Sequence, residues 1–270
     1  MNKGDQPFSC FALNNDMLYG MTSAGGAKGG PVGDGAIFSF DLQTATLTRL
    51  HSFGGTGGSD PHGQPIFDPT GSTLYGMTQA GGLHNVGVIY SLSGTTCGGT
   101  TSCTTKFKTL HDFSCPHHST PTCIDSSDGA SPDHGTLVDS GTTLFGLTTA
   151  GGKFGMGTVF SLELKGQKKF KILHSFGAST IDGVNPLGSL LLSGATLYGT
   201  TSAGGANGLG TVFQINTDGT NYTRLHDFAG GDSDGANPTD NVILVDNTLY
   251  GMTSAGGQCS HGVIFSIALP

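Results

Sequence analysis

One nine-residue motif recurs five times along the chain, and this repetition constrains the fold more than any other feature. The segment Leu-Tyr-Gly-Met-Thr-Ser-Ala-Gly-Gly starts at Leu18, and variants start at Leu74, Leu144, Leu197 and Leu249. The starts are 56, 70, 53 and 52 residues apart. Such a period indicates one supersecondary unit that is repeated and shares a core with its neighbours.

Three further motifs keep phase with the first. A Gly-x-Val/Ile-Phe/Tyr segment follows it at 35–38, 87–90, 157–160, 210–213 and 262–265. A Leu-His-Ser/Asp-Phe segment comes next at 50–53, 110–113, 173–176 and 225–228. A Gly-x-Asn/Ser-Pro turn then leads into the next copy at 129–132, 183–186 and 235–238, and 4–7 is a variant of it.

Each copy therefore predicts four short strands, here called a, b, c and d. Strand a is an apolar run, strand b carries Leu-Tyr-Gly-x-Thr, strand c carries Val-Phe, and strand d carries Leu-His-x-Phe. Four strands in about 40–50 residues are typical of a β-propeller blade. We predict an all-β, five-bladed β-propeller with about four antiparallel strands per blade, and a last blade without its outer strand.

The predicted domain is a single propeller over 1–270. Its copies span approximately 4–58, 59–127, 128–181, 182–233 and 234–270, and a cysteine-rich insertion occupies 93–127. Much of the unusual glycine content, 47 of 270 residues, falls in the repeated motifs. Glycine at such positions allows tight turns and a close approach of the backbone.

The phased motifs closely resemble the GloVer (Gloeobacter/Verrucomicrobia) tandem repeat of secreted bacterial proteins. The order of the strands is also similar to that of WD-like propellers, although the Trp-Asp dipeptide is absent. The resemblance covers nearly the whole chain and implies an exported bacterial protein, often anchored at the cell surface. Because the family has no established activity, the resemblance transfers no catalytic residues.

Cysteine usage also predicts a secreted or cell-surface protein. Four cysteines crowd into one stretch, which favours local disulfides Cys97–Cys103 and Cys115–Cys123 among the three pairings that four cysteines allow. A zinc site built on Cys115, His117 and His118 is the alternative, although its spacing matches no standard finger. Cys10 and Cys259 are either free or paired with each other.

Charge and hydropathy exclude two classes of partner. The formal net charge is −8 and the chain has two arginines, so we expect no nucleic-acid binding, which needs a basic surface. No run approaches 18 apolar residues, so we expect no insertion into a membrane.

Residues that recur in every copy are expected to be structural. The strand-d histidines are His51, His111, His174 and His226. We predict that each is buried and hydrogen-bonds within its blade to a Thr, Ser or Asp. Ser52 and Ser175 directly follow two of these histidines, and because neighbouring residues of a strand point to opposite faces, neither forms a nucleophile–base pair.

Function is expected where the copies differ, in the b–c and d–a loops, which share one face of a blade. The leading hypothesis is an extracellular, non-catalytic module that binds a glycan or another small molecule. The predicted ligand-binding residues are Lys28, His84, Asn85, Phe154, Asn207 and His261. Aspartates and histidines outnumber lysines in these loops, which favours cations or neutral, hydroxyl-rich ligands.

The alternative hypothesis is a secreted hydrolase or lyase that acts on a polysaccharide or an ester at the channel mouth. Its candidate catalytic residues are His62, His84, His261, Asp60, Asp128, Asp182 and Asp234, with Asp133, His134, His117 and His118 nearby in the loops. Regular repetition of Asp60, Asp128, Asp182 and Asp234 argues for roles in turns. Alternating oxygen side chains before a glycine also predict a calcium loop with Asp232, Asp234 and Asp240 as ligands.

Overall fold

The computed structural model describes residues 5–7, 9–27, 33–95, 104–114, 128–133, 135–166 and 169–270. Over these ranges the chain is all-β, with a single 3-10 turn at Gly55–Gly57, so the predicted all-β class is confirmed. No helix in the described ranges is long and apolar enough to cross a membrane. Several residues named above lie outside these ranges: Lys28, Cys97, Cys103, Cys115, His117, His118, Cys123 and His134. The disulfide and zinc hypotheses therefore stay predictions.

The chain divides into two compact units. The first comprises Met1–Ser114 and Ser131–Gly141, and the second comprises Cys115–Ala130 and Thr142–Pro270.

The first unit holds the sheets of the first two copies and strand a of the third. Its strands are β1 Asp5–Pro7, β2 Ala12–Asn14, β3 Met17–Ala24, β4 Ala36–Asp41, β5 Thr46–Ser52, β6 Ile66–Phe67, β7 Thr73–Thr78, β8 Val88–Ser93, β9 Lys106–Asp112 and β10 Val138–Asp139. One sheet has the order β1-β3-β4-β5 with β2 also paired to β3, and another has the order β6-β7-β8-β9.

The second unit holds the main strands of the last three copies. They are β11 Thr143–Thr148, β12 Thr158–Glu163, β13 Phe170–Ser175, β14 Gly183–Val184, β15 Leu191–Ser193, β16 Thr196–Thr201, β17 Ala203–Gly204, β18 Thr211–Asn216, β19 Thr223–Asp227, β20 Gly235–Ala236, β21 Ile243–Val245, β22 Thr248–Met252, β23 Ala255–Gly256 and β24 Ile264–Ala268. Strands β11, β12 and β13 pair in sequence, and the next sheet has the order β15-β16-β18-β19. The last sheet, β21-β22-β24, has three strands, as predicted for a copy without strand d.

The Gly-x-x-Pro motif is more than a turn. Its first residues pair with the Ala-Gly-Gly segment as β14–β17 and β20–β23, with Gly183 opposite Gly204 and Gly235 opposite Gly256. Strand β1 pairs with the end of β3 in the same way, Asp5 opposite Ala24. The motif predicted as a turn therefore also forms a short ladder with its own backbone groups.

The register of strands b and c explains the glycine of the Leu-Tyr-Gly motif. Gly199 lies opposite Phe213 in the β16–β18 pair, and a Cβ atom on Gly199 would lie 2.6 Å from the ring of Phe213. Since van der Waals contact begins near 3.4 Å, only glycine lets the aromatic side chain of strand c lie flat across strand b.

The core is built from the phased aromatic and aliphatic positions. The strand-d phenylalanines Phe53, Phe113, Phe176 and Phe228 are fully buried. A β-bulge follows the aliphatic residue of strand c in each of the four copies that have a strand d, for example between Val212 and Phe213. Bulges bend and twist a strand locally, so each copy has the same curvature at this point.

Gly210 and Gly208 provide a matched test of close backbone approach. Both have positive φ, +101° and +75°, but a Cβ on Gly210 would overlap the Thr201 carbonyl oxygen and lie 2.6 Å from Cδ of Pro238. No atom lies within 4 Å of the Cβ position at Gly208. We expect Gly210→Ala to lower the free energy of unfolding by about 3 kcal/mol, and Gly208→Ala by about 1 kcal/mol. Urea unfolding followed by circular dichroism measures both, and equal losses would contradict this explanation.

Candidate functional site

Three loops of the first unit enclose a cleft of about 360 Å³. The β3–β4 loop contributes Asp34, the β5–β6 loop contributes Thr56 and Ser59, and the β7–β8 loop contributes Leu83 and Asn85. Three glycines, Gly55, Gly81 and Gly82, complete the lining with their backbone. The cleft confirms, for this unit, that b–c and d–a loops share a face.

Strand d fixes the loop between β7 and β8. The carboxylate oxygens of Asp112 accept the Leu83 N–H at 3.1 and 3.0 Å, and Oδ1 of Asn85 accepts the Gly81 N–H at 3.1 Å. Asn85 has a φ of 56°, a left-handed conformation that asparagine tolerates better than most residues. These bonds hold the exposed Asn85 side chain at the cleft.

The serines that follow the strand-d histidines, like Asp112, accept backbone N–H groups of b–c loops. Oγ of Ser52 accepts the Ala27 N–H at 3.1 Å, and Oγ of Ser175 accepts the Lys153 N–H at 3.3 Å. Their hydroxyls hold the b–c loops by accepting backbone N–H groups.

His62 lies between two carboxylates in the same unit. Its Nδ1 is 2.7 Å from Oδ1 of Asp133, and its Nε2 is 3.0 Å from Oδ1 of Asp60. The His62 and Asp133 side chains are mostly buried, 12% and 16% exposed, whereas Asp60 is 43% exposed. The structure thus brings together two of the candidate catalytic residues, His62 and Asp60, with Asp133 as a third member.

The two carboxylates favour the charged form of the imidazole. The hydrogen bond to Asp133 raises the pKa of His62, burial opposes this, and the charges of Asp60 and Asp133 reinforce it. With both ring nitrogens facing carboxylates, His62 is held as a buried hydrogen-bond donor to both sides. A histidine in this state can give up a proton as an acid but has no ring nitrogen ready to act as a base.

Asp60 does not occupy the same position in the repeat as Asp128, Asp182 and Asp234. It directly precedes Pro61 and has a φ of 56°, as do Asn185 at 55° and Asn237 at 54° before their own prolines. Its N–H donates to the Asp34 carbonyl and its carbonyl accepts the Gln79 N–H. The predicted regular repetition of the four aspartates is therefore wrong for Asp60, which occupies the left-handed position before proline.

The strand-d histidines bond to aspartates eight residues downstream, where the contacts are described. Nε2 of His174 is 3.2 Å from Asp182, and Nε2 of His226 is 3.1 Å from Asp234. The partners are aspartates, as predicted, but Asp182 and Asp234 each open the following copy, and the two histidine side chains are 16% and 38% exposed. The prediction of buried histidines bonded within their own copies is therefore wrong for these two. Burial acts to raise the pKa of Asp182, but hydrogen bonds from His174, from the Tyr222 hydroxyl and from the Ala178 N–H lower it to about 2.

Tyr222 was not expected at this position. Its ring stacks on His174 with a centroid distance of 3.7 Å, and Phe107 stacks on His51 at 3.9 Å. Tyr222, Phe107 and Phe170 each lie four residues before a Leu-His-x-Phe histidine. This further phased position, aromatic in three copies, is the feature of the sequence that could have revealed the stacking.

The remaining predicted ligand-binding residues do not join the cleft. Phe154, Asn207 and His261 belong to the second unit. Lys153 Nζ lies 5.4 Å from the Phe154 ring centroid, Nδ2 of Asn207 donates to the Phe228 carbonyl, and His261 is exposed. His84 lies in the β7–β8 loop beside Leu83 and is half-buried.

The three predicted calcium ligands differ in their surroundings. Asp234 accepts hydrogen bonds from His226 and from the N–H groups of Ala229 and Gly235, while Asp232 and Asp240 are exposed. Among the residues that the structure describes, no three His, Cys, Asp or Glu side chains form a group suited to a metal ion. Cys10 and Cys259 are exposed free thiols, so the alternative in which they pair with each other is not adopted.

The sequence matches a family model described as the Gloeobacter/Verrucomicrobia repeat over residues 1–123 and 101–270. No curated protein matches it. Several solved structures are similar to the chain in fold.

The structure of a nidogen/laminin complex is 12% identical with a TM-score of 0.54, and the match covers 98% of this chain and 80% of that one. A putative 6-phosphogluconolactonase from Bacteroides uniformis is 14% identical with a TM-score of 0.53, covering 99% and 72%. An oligogalacturonate lyase in complex with manganese is 13% identical with a TM-score of 0.54, covering 94% of this chain and 62% of the lyase. These neighbours are β-propellers, so the chain has a propeller-like fold, and identities this low show the fold alone.

Asp133 is expected to be the main cause of the raised His62 pKa. In NMR titrations of the imidazole, Asp133→Asn should lower the pKa of His62 more than Asp60→Asn does, because the Asp133 bond is the larger contribution. A pKa raised by folding stabilises the protein fully below the unfolded value of about 6.5, and this stabilisation is lost as pH rises through the folded value. The stability difference between the wild type and Asp133→Asn should therefore shrink with rising pH, and a constant difference would contradict the ion pair.

Asp182 is expected to be structural. Its low pKa in the folded state stabilises the protein above about pH 4, and this contribution disappears as pH falls towards 2. Asp182→Asn should cost about 2 kcal/mol at pH 7 and much less at pH 2.5, measured by urea unfolding. Asp232→Asn is the control at an exposed position and should cost little at either pH.

Proposed function

Since the chain belongs to the Gloeobacter/Verrucomicrobia repeat family, we propose that it is an extracellular, non-catalytic propeller that binds a carbohydrate. The observation that carries the proposal is the cleft lined by Asp34, Thr56, Ser59, Leu83 and Asn85. It is formed by loops in which the copies differ, on a framework in which they are alike. Function commonly lies on variable loops that a rigid scaffold positions.

The chemistry of the cleft suits a neutral, hydroxyl-rich ligand. A carboxylate, an amide, two hydroxyls and exposed glycine backbone offer both donors and acceptors for hydroxyl groups. Leu83 is largely exposed at the same place and offers an apolar surface to the C–H groups of a sugar ring. The net charge of −8 disfavours phosphates and uronates.

The proposal includes the finer predictions made from the sequence. We propose that the five copies are five blades of one domain over 1–270, and that the protein is secreted or displayed at the cell surface. Support comes from the repeated strand register within each unit and from the bacterial lineages in the family's name. Calcium at Asp232, Asp234 and Asp240 remains a separate proposal, tested by chelation.

Asn85 is expected to contribute directly to ligand binding. On a glycan array followed by calorimetry, Asn85→Gly should weaken binding about tenfold, because a hydrogen bond to the ligand is lost. Glycine tolerates the positive φ, so the backbone at position 85 keeps its conformation, although the hydrogen bond from the Gly81 N–H to Oδ1 of Asn85 is also lost. Asn221→Gly is the matched control, since Asn221 is also exposed with a φ of 55° but lies outside the cleft. Equal affinities for the wild type and Asn85→Gly would exclude the cleft as the binding site.

A secreted hydrolase or lyase is the second candidate function. The observation that favours it is the Asp60–His62–Asp133 group, in which a histidine of raised pKa is available as an acid. A screen with glycoside and ester substrates tests it. Turnover by the wild type that is abolished in a folded His62→Gln variant would favour the enzyme over the binding proposal. Saturable binding without turnover would support the binding proposal.

A further inference from the structure

One residue in the wall of the cleft departs from the repeat. Asp34 immediately precedes the glycine of the Gly-x-Val/Ile-Phe/Tyr motif, and the equivalent residues of the next three copies are apolar: Val86, Met156 and Leu209. In each of these four copies the carbonyl group of this residue accepts the N–H of the residue before the motif proline, a bond that joins Asp60 to Asp34 at 3.1 Å. The four side chains therefore start from equivalent backbone positions.

The apolar side chains fill space that stays open beside Asp34. Leu209 lies over Gly230 of its d–a loop, with Cδ1 2.9 Å from the Cβ position of that glycine, and Met156 makes the same contact in its own copy. At Gly55, in the d–a loop of the first copy, no atom of the described residues outside its chain neighbours lies within 4 Å of this position. Because aspartate is shorter than leucine or methionine, the cleft stays open here and has a carboxylate in its wall.

The Asp34 carboxylate has no partner among the residues that the structure describes. It is half-buried, and no hydrogen bond or ion pair joins it to another described residue. No lysine or arginine is among the described residues that line the cleft. Asp112 adds a second negative charge behind Leu83, whose N–H its carboxylate accepts. A ligand that covers Asp34 must therefore neutralise its charge or leave it desolvated without compensation.

A protonated amino group neutralises such a carboxylate. The hydrogen bonds between an ammonium group and a carboxylate are charge-assisted and about twice as strong as those between neutral groups. The hydroxyl groups of the same sugar can bond to Thr56, Ser59 and Asn85, which offer both donors and acceptors. The net charge of −8 also attracts a cation towards the protein and repels an anion.

We propose that the ligand of the cleft is a sugar with a free, protonated amino group, and that Asp34 is the residue that selects it. This inference rests on the proposed function, because it names the class of carbohydrate that the same cleft takes. The amino group pairs with Asp34, while the hydroxyl groups and the ring contact the rest of the cleft. An N-acetylated sugar of similar shape carries no charge there and leaves Asp34 without a counter-ion.

Calorimetry of the full chain with two tetrasaccharides tests the proposal, β-1,4-linked glucosamine and its fully N-acetylated form. At about pH 6, where the amino groups are protonated, the wild type should bind the glucosamine oligomer about tenfold more tightly, and added salt should narrow the preference. Asp34→Asn keeps the shape of the side chain but removes its charge, so this variant should bind both oligomers alike. Asp16→Asn, the same change at an exposed position outside the cleft, should keep the wild-type preference.

A second variant tests the origin of the cleft. Asp34→Leu introduces the residue that copy four has at this position, Leu209, and should fill the space beside Gly55. Neither oligomer should bind this variant, although its circular dichroism spectrum should match that of the wild type. Binding of both oligomers by a folded Asp34→Leu variant would overturn the placement of the ligand beside Asp34.

The outcomes separate this inference from the proposed function. Equal affinities of the wild type for the two oligomers, or a preference that Asp34→Asn retains, would overturn the amino-sugar assignment. A neutral glycan that binds the cleft while the glucosamine oligomer does not would overturn the assignment as well and leave the proposed function standing. If no sugar binds, neutral or amino, the proposed function and this inference are both wrong.

Discussion

The packing of a strand-d phenylalanine under the strand-c aromatic of the following copy is the contact on which the rest of the structure depends. It recurs as Phe53 with Tyr90, Phe176 with Phe213 and Phe228 with Phe265. The glycine of the Leu-Tyr-Gly motif leaves room for the same aromatic ring, so one side chain links strand b of its own sheet to the preceding sheet. Because a chain with 11% charged residues has few ion pairs to offer, burial of these aromatic side chains is the favourable interaction that recurs at the three contacts.

Because the contacts between strands repeat from copy to copy, the sequences of the loops can differ without changing the framework. Strand-d side chains such as Asp112 and Ser175 hold b–c loops by accepting backbone N–H groups, and they do so whatever the loop sequence is. The cleft at Asn85 is thus built on fixed loop ends. His62 departs from the repeat pattern in another way, since its partners Asp60 and Asp133 come from separate copies of the same turn.

Much of the fold could be predicted from the sequence because its motifs keep phase. The strands containing Leu197, Val212 and Leu225 appear where their motifs predict them. The site was less predictable. Asp60 was grouped with Asp182 on spacing alone, whereas the backbone conformation before Pro61 gives it a different place, and the stacking of Tyr222 on His174 depends on a neighbouring copy.

The sequence by itself determined the strands, the tight turns and the repeating unit, because these follow from local periodicity and from glycine at positions of positive φ. Only the tertiary structure decided which loops meet and which apolar faces are covered. His62 and Asp133 are 71 residues apart along the chain, and Ile264 occupies the same motif position as the fully buried Val212. Packing between sheets determines which of these side chains meet and which are buried. A local pattern of residues does not contain that information.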